Sequence, residues 1–184
     1  KKIYFSRRKF GKAVATEFGE EYIEQCFNQN GYESLGPETL TLREQIYVWN
    51  HAEAIACMNG TIPLNVVFCK NEKLKLTILN KMSIYHKNPY IYLYMRNIQA
   101  EFIDIYKEPL KGYPKSLGEG PYLIKTGKEF FHYCQREKFE IPYTGMKLKF
   151  YDLKQEIRYY LCVIGIGNKI RRVGSYIKRK MLRR

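Results

Sequence analysis

The chain has 184 residues, a formal net charge of +14, and 45% hydrophobic and 15% aromatic residues. This length suits one domain of ordinary size with an appendage. The hydrophobic content supplies a core and excludes a chain that is disordered over most of its length. No stretch approaches the roughly 18 apolar residues that a membrane-spanning helix needs.

The positive charge is unevenly distributed along the chain. Residues 147–184 hold twelve Lys or Arg against two acidic residues, a net charge of +10, which leaves +4 for the first 146 residues. The five cysteines are odd in number, form no C-x-x-C pair, and in several cases lie in apolar runs. This usage predicts reduced, buried thiols in a cytosolic protein.

Strand and helix signals alternate over the first 80 residues. Strands are predicted at Ile3–Ser6, Tyr32–Leu35, Ala54–Met58 and Leu74–Leu79. A polar turn ends the first, Pro37 ends the second, and the third is a continuous apolar run. Helices are predicted at Glu17–Gln29 with Thr16 as N-cap, from Thr41 to about Asn50, and near Pro63–Cys69. The second of these helices opens on a capping box, Thr41-Leu42-Arg43-Glu44. This alternation predicts an α/β fold, with a parallel sheet and right-handed crossovers of the Rossmann-like kind.

The second half of the chain carries weaker signals. Pro89–Asn97 suits either a helix or a strand, Phe102–Tyr106 suits a fifth strand, and residues 107–121, with three Pro and three Gly, suit a loop. Helices are predicted at Gly127–Lys138 and Leu153–Ile164. We therefore divide the chain into a Rossmann-like domain, residues 1–150, and a helical basic extension, residues 151–184.

Three polar segments are predicted to follow strands of the parallel sheet. They are Ser6-Arg7-Arg8, Thr41 to Gln45, and Asn59-Gly60-Thr61. Ligands bind beyond the carboxyl ends of such strands, where backbone amides and an arginine fork suit phosphate. Plainer alternatives stay open: Glu44 as a capping partner only, Arg7 and Arg8 as solvated loop charges, and Gly60 as an ordinary turn glycine.

Several of these segments resemble glycosyltransferase family 61, in order along roughly residues 3–80. The segment Ile3-Tyr4-Phe5-Ser6-Arg7 resembles the opening strand of its catalytic domain, and Thr16-Glu17 falls where the family has Asn-Glu. Pro37-Glu38 followed by Glu44-Gln45 resembles its PE…EQ stretch. The run from Asn59 to Phe68 resembles its His-Gly-Ala-Gly-Leu-Thr-Asn block, with Asn59 in place of His and Ile62 in place of the second Gly.

The resemblance implies one half of a GT-B architecture, in which two Rossmann-like domains enclose a nucleotide-sugar donor. It implies an inverting, metal-independent transfer to a glycan or lipid-linked acceptor in the synthesis of capsular or other surface polysaccharides. Donor-binding residues would be Arg7, Arg8, Glu44, Asn59, Gly60 and Thr61. The sequence does not begin with Met and opens on a strand, so we expect a fragment that lacks the acceptor domain.

The residues themselves disfavour a metal site. Asp104 and Asp152 are the only aspartates, and His51, His86 and His132 are scattered without ligand spacing. We therefore expect no metal and no cofactor, with the nucleotide sugar as substrate.

The C-terminal residues predict a basic amphipathic helix. Ile166, Ile170, Val173, Ile177 and Met181 recur at helical spacing. The accompanying basic residues include Lys169, Arg171, Arg172, Lys178, Arg179 and Lys180. Such a helix suits an anionic leaflet and predicts a cytoplasmic protein peripheral to the inner face of the cell membrane. The alternatives are a solvated run of charges and, least favoured, a nucleic-acid contact. The alternative function is a non-catalytic basic module that binds a membrane surface or nucleic acid.

Overall fold

The structure is a computed structural model that describes residues 1–84, 87–108 and 112–165. The predicted membrane-contacting residues Lys169, Arg171, Arg172, Lys178, Arg179 and Lys180 lie outside these ranges. The strands are β1 (Lys2–Phe5), β2 (Glu17–Phe18), β3 (Tyr32–Leu35), β4 (Ala54–Met58), β5 (Lys75–Asn80), β6 (Ala100–Asp104), β7 (Tyr106–Lys107) and β8 (Tyr122–Ile124). The α-helices are α1 (Gly11–Thr16), α2 (Glu20–Gln29), α3 (Leu42–His51), α4 (Asn88–Met95), α5 (Lys128–Arg136) and α6 (Gly145–Val163). Short 3₁₀ helices cover Pro37–Thr39 and Ile62–Phe68.

In the described part of the chain, five parallel strands form the main sheet in the order β3-β1-β4-β5-β6. Every residue of β4 is buried, which explains its unbroken apolar sequence, because helices cover both faces of the sheet. The faces carry separate cores, one around Tyr4 and Phe27 and the other around Trp49 and Ile78. The predicted Rossmann-like α/β fold is confirmed.

A small second sheet joins distant parts of the chain. In it β2 pairs with β8 in parallel, and β8 pairs with β7 in antiparallel fashion. Helix α6 packs on this sheet, with the buried Tyr159 against Phe18 and Leu123. The second sheet thereby fixes both Glu17, in β2, and α6 to the body of the protein.

Most predicted elements occur close to their expected places. The ambiguous segment at Pro89–Asn97 is helical, as α4, and the segment near Pro63–Cys69 is a 3₁₀ helix. None of the five cysteines forms a disulfide, and all but Cys162 are buried.

The predicted helix Glu17–Gln29 was wrong at its start. Glu17 and Phe18 form β2 instead, and helix α2 begins at Glu20. Gly19, before the helix, has a φ of 112°, a conformation that favours glycine. A side chain there would also collide with the backbone carbonyl of Ile124 in β8. The tight approach of β8 therefore sets where the helix starts.

Two other boundaries differ from the sequence prediction. The fifth strand, β6, ends at Asp104, because Tyr106 belongs to β7 of the second sheet. Helix α6 begins at Gly145 rather than Leu153 and runs through the division placed after residue 150. The Tyr151 hydroxyl donates to the Gly19 carbonyl at 3.0 Å and accepts from the Tyr22 amide at 3.2 Å. These bonds tie the start of α6 to the body.

Candidate functional site

A pocket of about 360 Å³ lies at the carboxyl ends of the central strands. Arg7 reaches it from the turn after β1, Gly60 and Thr61 from the turn after β4, and Lys81 from the residue after β5. A Cβ added to Gly60 would lie 3.6 Å from Arg7 Nη1. The turns after β1 and β4 therefore meet at one edge of the sheet. We call this cavity the strand-end pocket.

A buried ion cluster forms one wall of the strand-end pocket. Glu17 Oε1 lies 2.7 Å from Lys81 Nζ and 3.2 Å from Arg7 Nη2. The side chains of Glu17 and Lys81 are only 2% and 1% exposed. The Lys81 ammonium also lies 4.0 Å from the centre of the Tyr122 ring, a cation–π contact. Burial lowers the pKa of Lys81, and the nearby Glu17 carboxylate partly opposes this shift.

Three buried polar atoms at this edge make no hydrogen bond within the described residues. They are the donor Arg7 Nε and the acceptors Glu17 Oε2 and Asn59 Oδ1. Leaving such an atom without a partner costs on the order of 1–3 kcal/mol. A ligand phosphate only accepts hydrogen bonds, so of these three atoms it would satisfy Arg7 Nε alone.

Two consecutive side-chain hydrogen bonds hold Asn59 beside the strand-end pocket. Its Nδ2 donates to Asn80 Oδ1 at 2.8 Å, and Asn80 Nδ2 donates to Asp104 Oδ1 at 2.8 Å. These bonds link the ends of β4, β5 and β6. Asn59 is 1% exposed and lies behind the lining residues.

Arg8 and Glu44 do not line the strand-end pocket. The Arg8 guanidinium turns toward α2, with Nη1 2.8 Å from Glu24 Oε2 and Nη2 3.5 Å from Glu21 Oε1. Glu44 Oε2 accepts from the Thr41 hydroxyl and amide at 2.7 Å each, which completes the predicted capping box. These bonds hold the pKa of Glu44 below its ordinary value. Of the predicted donor-binding residues, Arg7, Gly60 and Thr61 share the strand-end pocket.

A second carboxyl lies beside this cluster. Glu20 accepts from the Arg7 amide at 2.8 Å and from the Tyr4 hydroxyl at 3.2 Å. Burial raises the pKa of Glu20 to about 7, although the Arg7 amide opposes this shift. When Glu20 is protonated, the two cations Arg7 and Lys81 face only one carboxylate, Glu17. The strand-end pocket, which Lys12 also lines, then carries excess positive charge and attracts anions.

The sequence prediction missed Glu17, Lys81 and Tyr122. Lys81 follows β5 directly, so the strand-end rule that selected Arg7 and Gly60 would also have found it. Glu17 and Tyr122 meet only through the pairing of β2 with β8. No local signal indicates that pairing, because more than a hundred residues separate the two strands.

No group of three or more His, Cys, Asp or Glu side chains suited to a metal ion occurs in residues 1–84, 87–108 and 112–165. Within the same ranges, none of the helices has the length and apolarity to span a membrane.

The capping box gives a first prediction. Thr41→Ala removes the side chain that accepts from the Glu44 amide, and we expect it to lower the free energy of unfolding by about 1 kcal/mol in urea titrations. The neighbouring Arg43→Ala leaves both capping bonds in place and serves as the control. Equal stability of the two variants would contradict the contribution of the cap.

Fold and site together define an α/β protein of Rossmann-like topology with a basic pocket at the carboxyl ends of its parallel strands. Comparisons of the chain with known protein families, with curated proteins and with solved structures gave no match.

Proposed function

We propose that this chain is the nucleotide-sugar-binding half of a glycosyltransferase that resembles family 61. The observation that carries the proposal is the strand-end pocket, where Arg7, Gly60, Thr61 and Lys81 lie together. Open parallel sheets bind phosphate-bearing ligands at this edge. The acceptor is a glycan or lipid-linked glycan of surface polysaccharide synthesis, at the inner face of the cell membrane.

The diphosphate of the donor would lie against Arg7. The Nε of Arg7 has no partner in the described residues, and a guanidinium suits phosphate oxygens through paired N–H bonds. Gly60 leaves room beside this guanidinium because it has no side chain. The exposed Thr61 extends the same wall and offers a hydroxyl to the ligand.

The chemistry is a direct displacement at the anomeric carbon of the donor sugar. An acceptor hydroxyl forms the new glycosidic bond and gives its proton to a base, while the bond from the sugar to the nucleotide diphosphate breaks. Negative charge grows on the departing diphosphate. Arg7 and Lys81 supply fixed positive charge that stabilises it.

Nucleotide binding tests this proposal. We expect UDP or GDP to bind the wild-type protein in calorimetric titrations, and Arg7→Ala to weaken that binding by at least about tenfold, the scale of a lost charge-assisted contact. Arg8→Ala is the matched control, because the guanidinium of Arg8 is paired with Glu24 and Glu21. Unchanged affinity in Arg7→Ala would count against the proposal.

A further inference from the structure

Helix α6 carries an exposed apolar stripe outside the strand-end pocket. The stripe consists of Met146, Phe150, Leu153, Ile157 and Tyr160 on the helix, and Ile164 at its C-cap. Their exposed fractions are 63%, 65%, 52%, 52%, 37% and 65%. Successive members are separated by four, three, four, three and four residues, which places them along one side of the helix. We call this set the α6 stripe.

The opposite side of α6 is packed against the protein. Gln155 and Tyr159 are buried there, and the Tyr151 hydroxyl bonds to the backbone of Gly19 and Tyr22. The helix therefore cannot roll to hide the α6 stripe. Large apolar side chains held outward in a row mark an interaction surface.

The charges around the α6 stripe indicate what covers it. The exposed charged residues of the helix are all basic: Lys147, Lys149, Lys154 and Arg158. The two acidic residues of the helix form ion pairs with lysines outside it. Glu156 lies 2.9 Å from Lys125 Nζ and 3.1 Å from Lys107 Nζ, and Asp152 lies 3.8 Å from Lys125 Nζ.

This pattern disfavours a second copy of the chain as the partner. Two α6 helices facing each other would bring basic rows together, and like charges in contact repel. An anionic lipid surface is complementary, since apolar side chains enter the boundary of headgroups and acyl chains while Lys and Arg meet lipid phosphates. The chain beyond the described residues continues this character, since residues 166–184 contain eight basic residues and no acid.

We propose that α6 is a membrane-docking helix that lies on an anionic bilayer with the α6 stripe inserted. The folded domain itself then contacts the lipid, in addition to any contact made by the basic tail. The inference does not depend on the strand-end pocket, so it can fail or succeed separately from the proposed transferase function.

Vesicle binding by the full chain tests this docking surface. The variant Phe150→Ser/Ile157→Ser shortens two exposed side chains without touching a core. We expect at least about a tenfold loss of binding to phosphatidylcholine vesicles that contain phosphatidylglycerol, with the free energy of unfolding in urea unchanged. The matched control is Tyr94→Ser/Met95→Ser, which shortens side chains of α4 that are 88% and 67% exposed. Helix α4 packs on the other core, through Leu93, so this control should bind like wild type.

A second measurement locates the helix directly. Trp49 is the only tryptophan of the chain and is fully buried, so Ile157→Trp adds one exposed reporter. Brominated anionic lipids should quench its fluorescence, whereas a reporter at Tyr94→Trp should stay unquenched. Equal vesicle binding of wild type and Phe150→Ser/Ile157→Ser would overturn the proposal. So would a wild-type dimer in light scattering that this variant splits, because a second copy would then cover the α6 stripe.

Discussion

Replacement of Glu17 by Gln should lower the free energy of unfolding by about 3 kcal/mol at neutral pH. The substitution removes the carboxylate that lies 2.7 Å from Lys81 Nζ, and the Lys81 side chain is 1% exposed. Burial has already removed the hydration of the Lys81 ammonium, and without Glu17 its paired carboxylate is lost as well. A buried charge left without its partner in this way costs about 3–5 kcal/mol. Urea unfolding of wild type and Glu17→Gln measures the difference.

Two further variants separate the effect of the buried ion pair from that of an exposed one. Glu21→Gln removes a carboxylate that is 44% exposed and lies 3.5 Å from Arg8 Nη2, so its cost should stay below about 1 kcal/mol. The double variant Glu17→Gln/Lys81→Met removes both buried charges and should recover much of the loss. If Glu17→Gln is no more costly than Glu21→Gln, the buried cluster does not exist as described.

The second large effect is a dependence of stability on pH that comes from Glu20. Its folded-state pKa of about 7 lies above its ordinary value of 4.5. Between these values the folded state binds more protons than the unfolded state, so the contribution of Glu20 falls as pH rises from about 4.5 to 7. The whole change amounts to about 3 kcal/mol.

Glu20→Gln isolates this contribution because glutamine resembles the protonated carboxyl. We expect the variant to match wild type near pH 4.5 and to exceed its free energy of unfolding by up to about 3 kcal/mol above pH 7. Carboxylates remote from Glu20, such as Glu156 with its lowered pKa, titrate alike in both proteins and cancel in the comparison. Parallel stability curves over this range would show that Glu20 titrates normally.

The inner strands of the main sheet were predictable because β1, β4 and β5 are short, mostly apolar segments with nearly every residue buried. β4 is the clearest case, since all of its residues are buried. The start of α2 was missed because helical periodicity extends back through Phe18, which the pairing with β8 takes into a sheet. Non-local pairing of this kind leaves no periodic signal in the sequence.

Site residues that directly follow strands of the main sheet were predictable from the sequence. Arg7 and Gly60 follow strands, and adjacent parallel strands bring them together. Arg8 also follows β1, but its guanidinium forms an ion pair with Glu24 of α2. Glu44 satisfies a capping box, and the sequence alone does not separate that role from a ligand contact. Glu17 enters the site through the second sheet. The sequence marked it only as part of the Thr16-Glu17 pair in the family resemblance, and no local signal indicated a place in the site.

The turns after β1 and β4 form the edge of the sheet that we propose binds the diphosphate of a nucleotide. A titration of ¹⁵N-labelled protein with UDP or GDP and, separately, with the parent nucleoside tests this binding directly. We expect the nucleotide to shift the amide resonances of Arg7, Gly60 and Thr61, and the nucleoside to leave them in place. Shifts confined to another surface, such as the cavity between Lys1 and His51, would contradict this proposal.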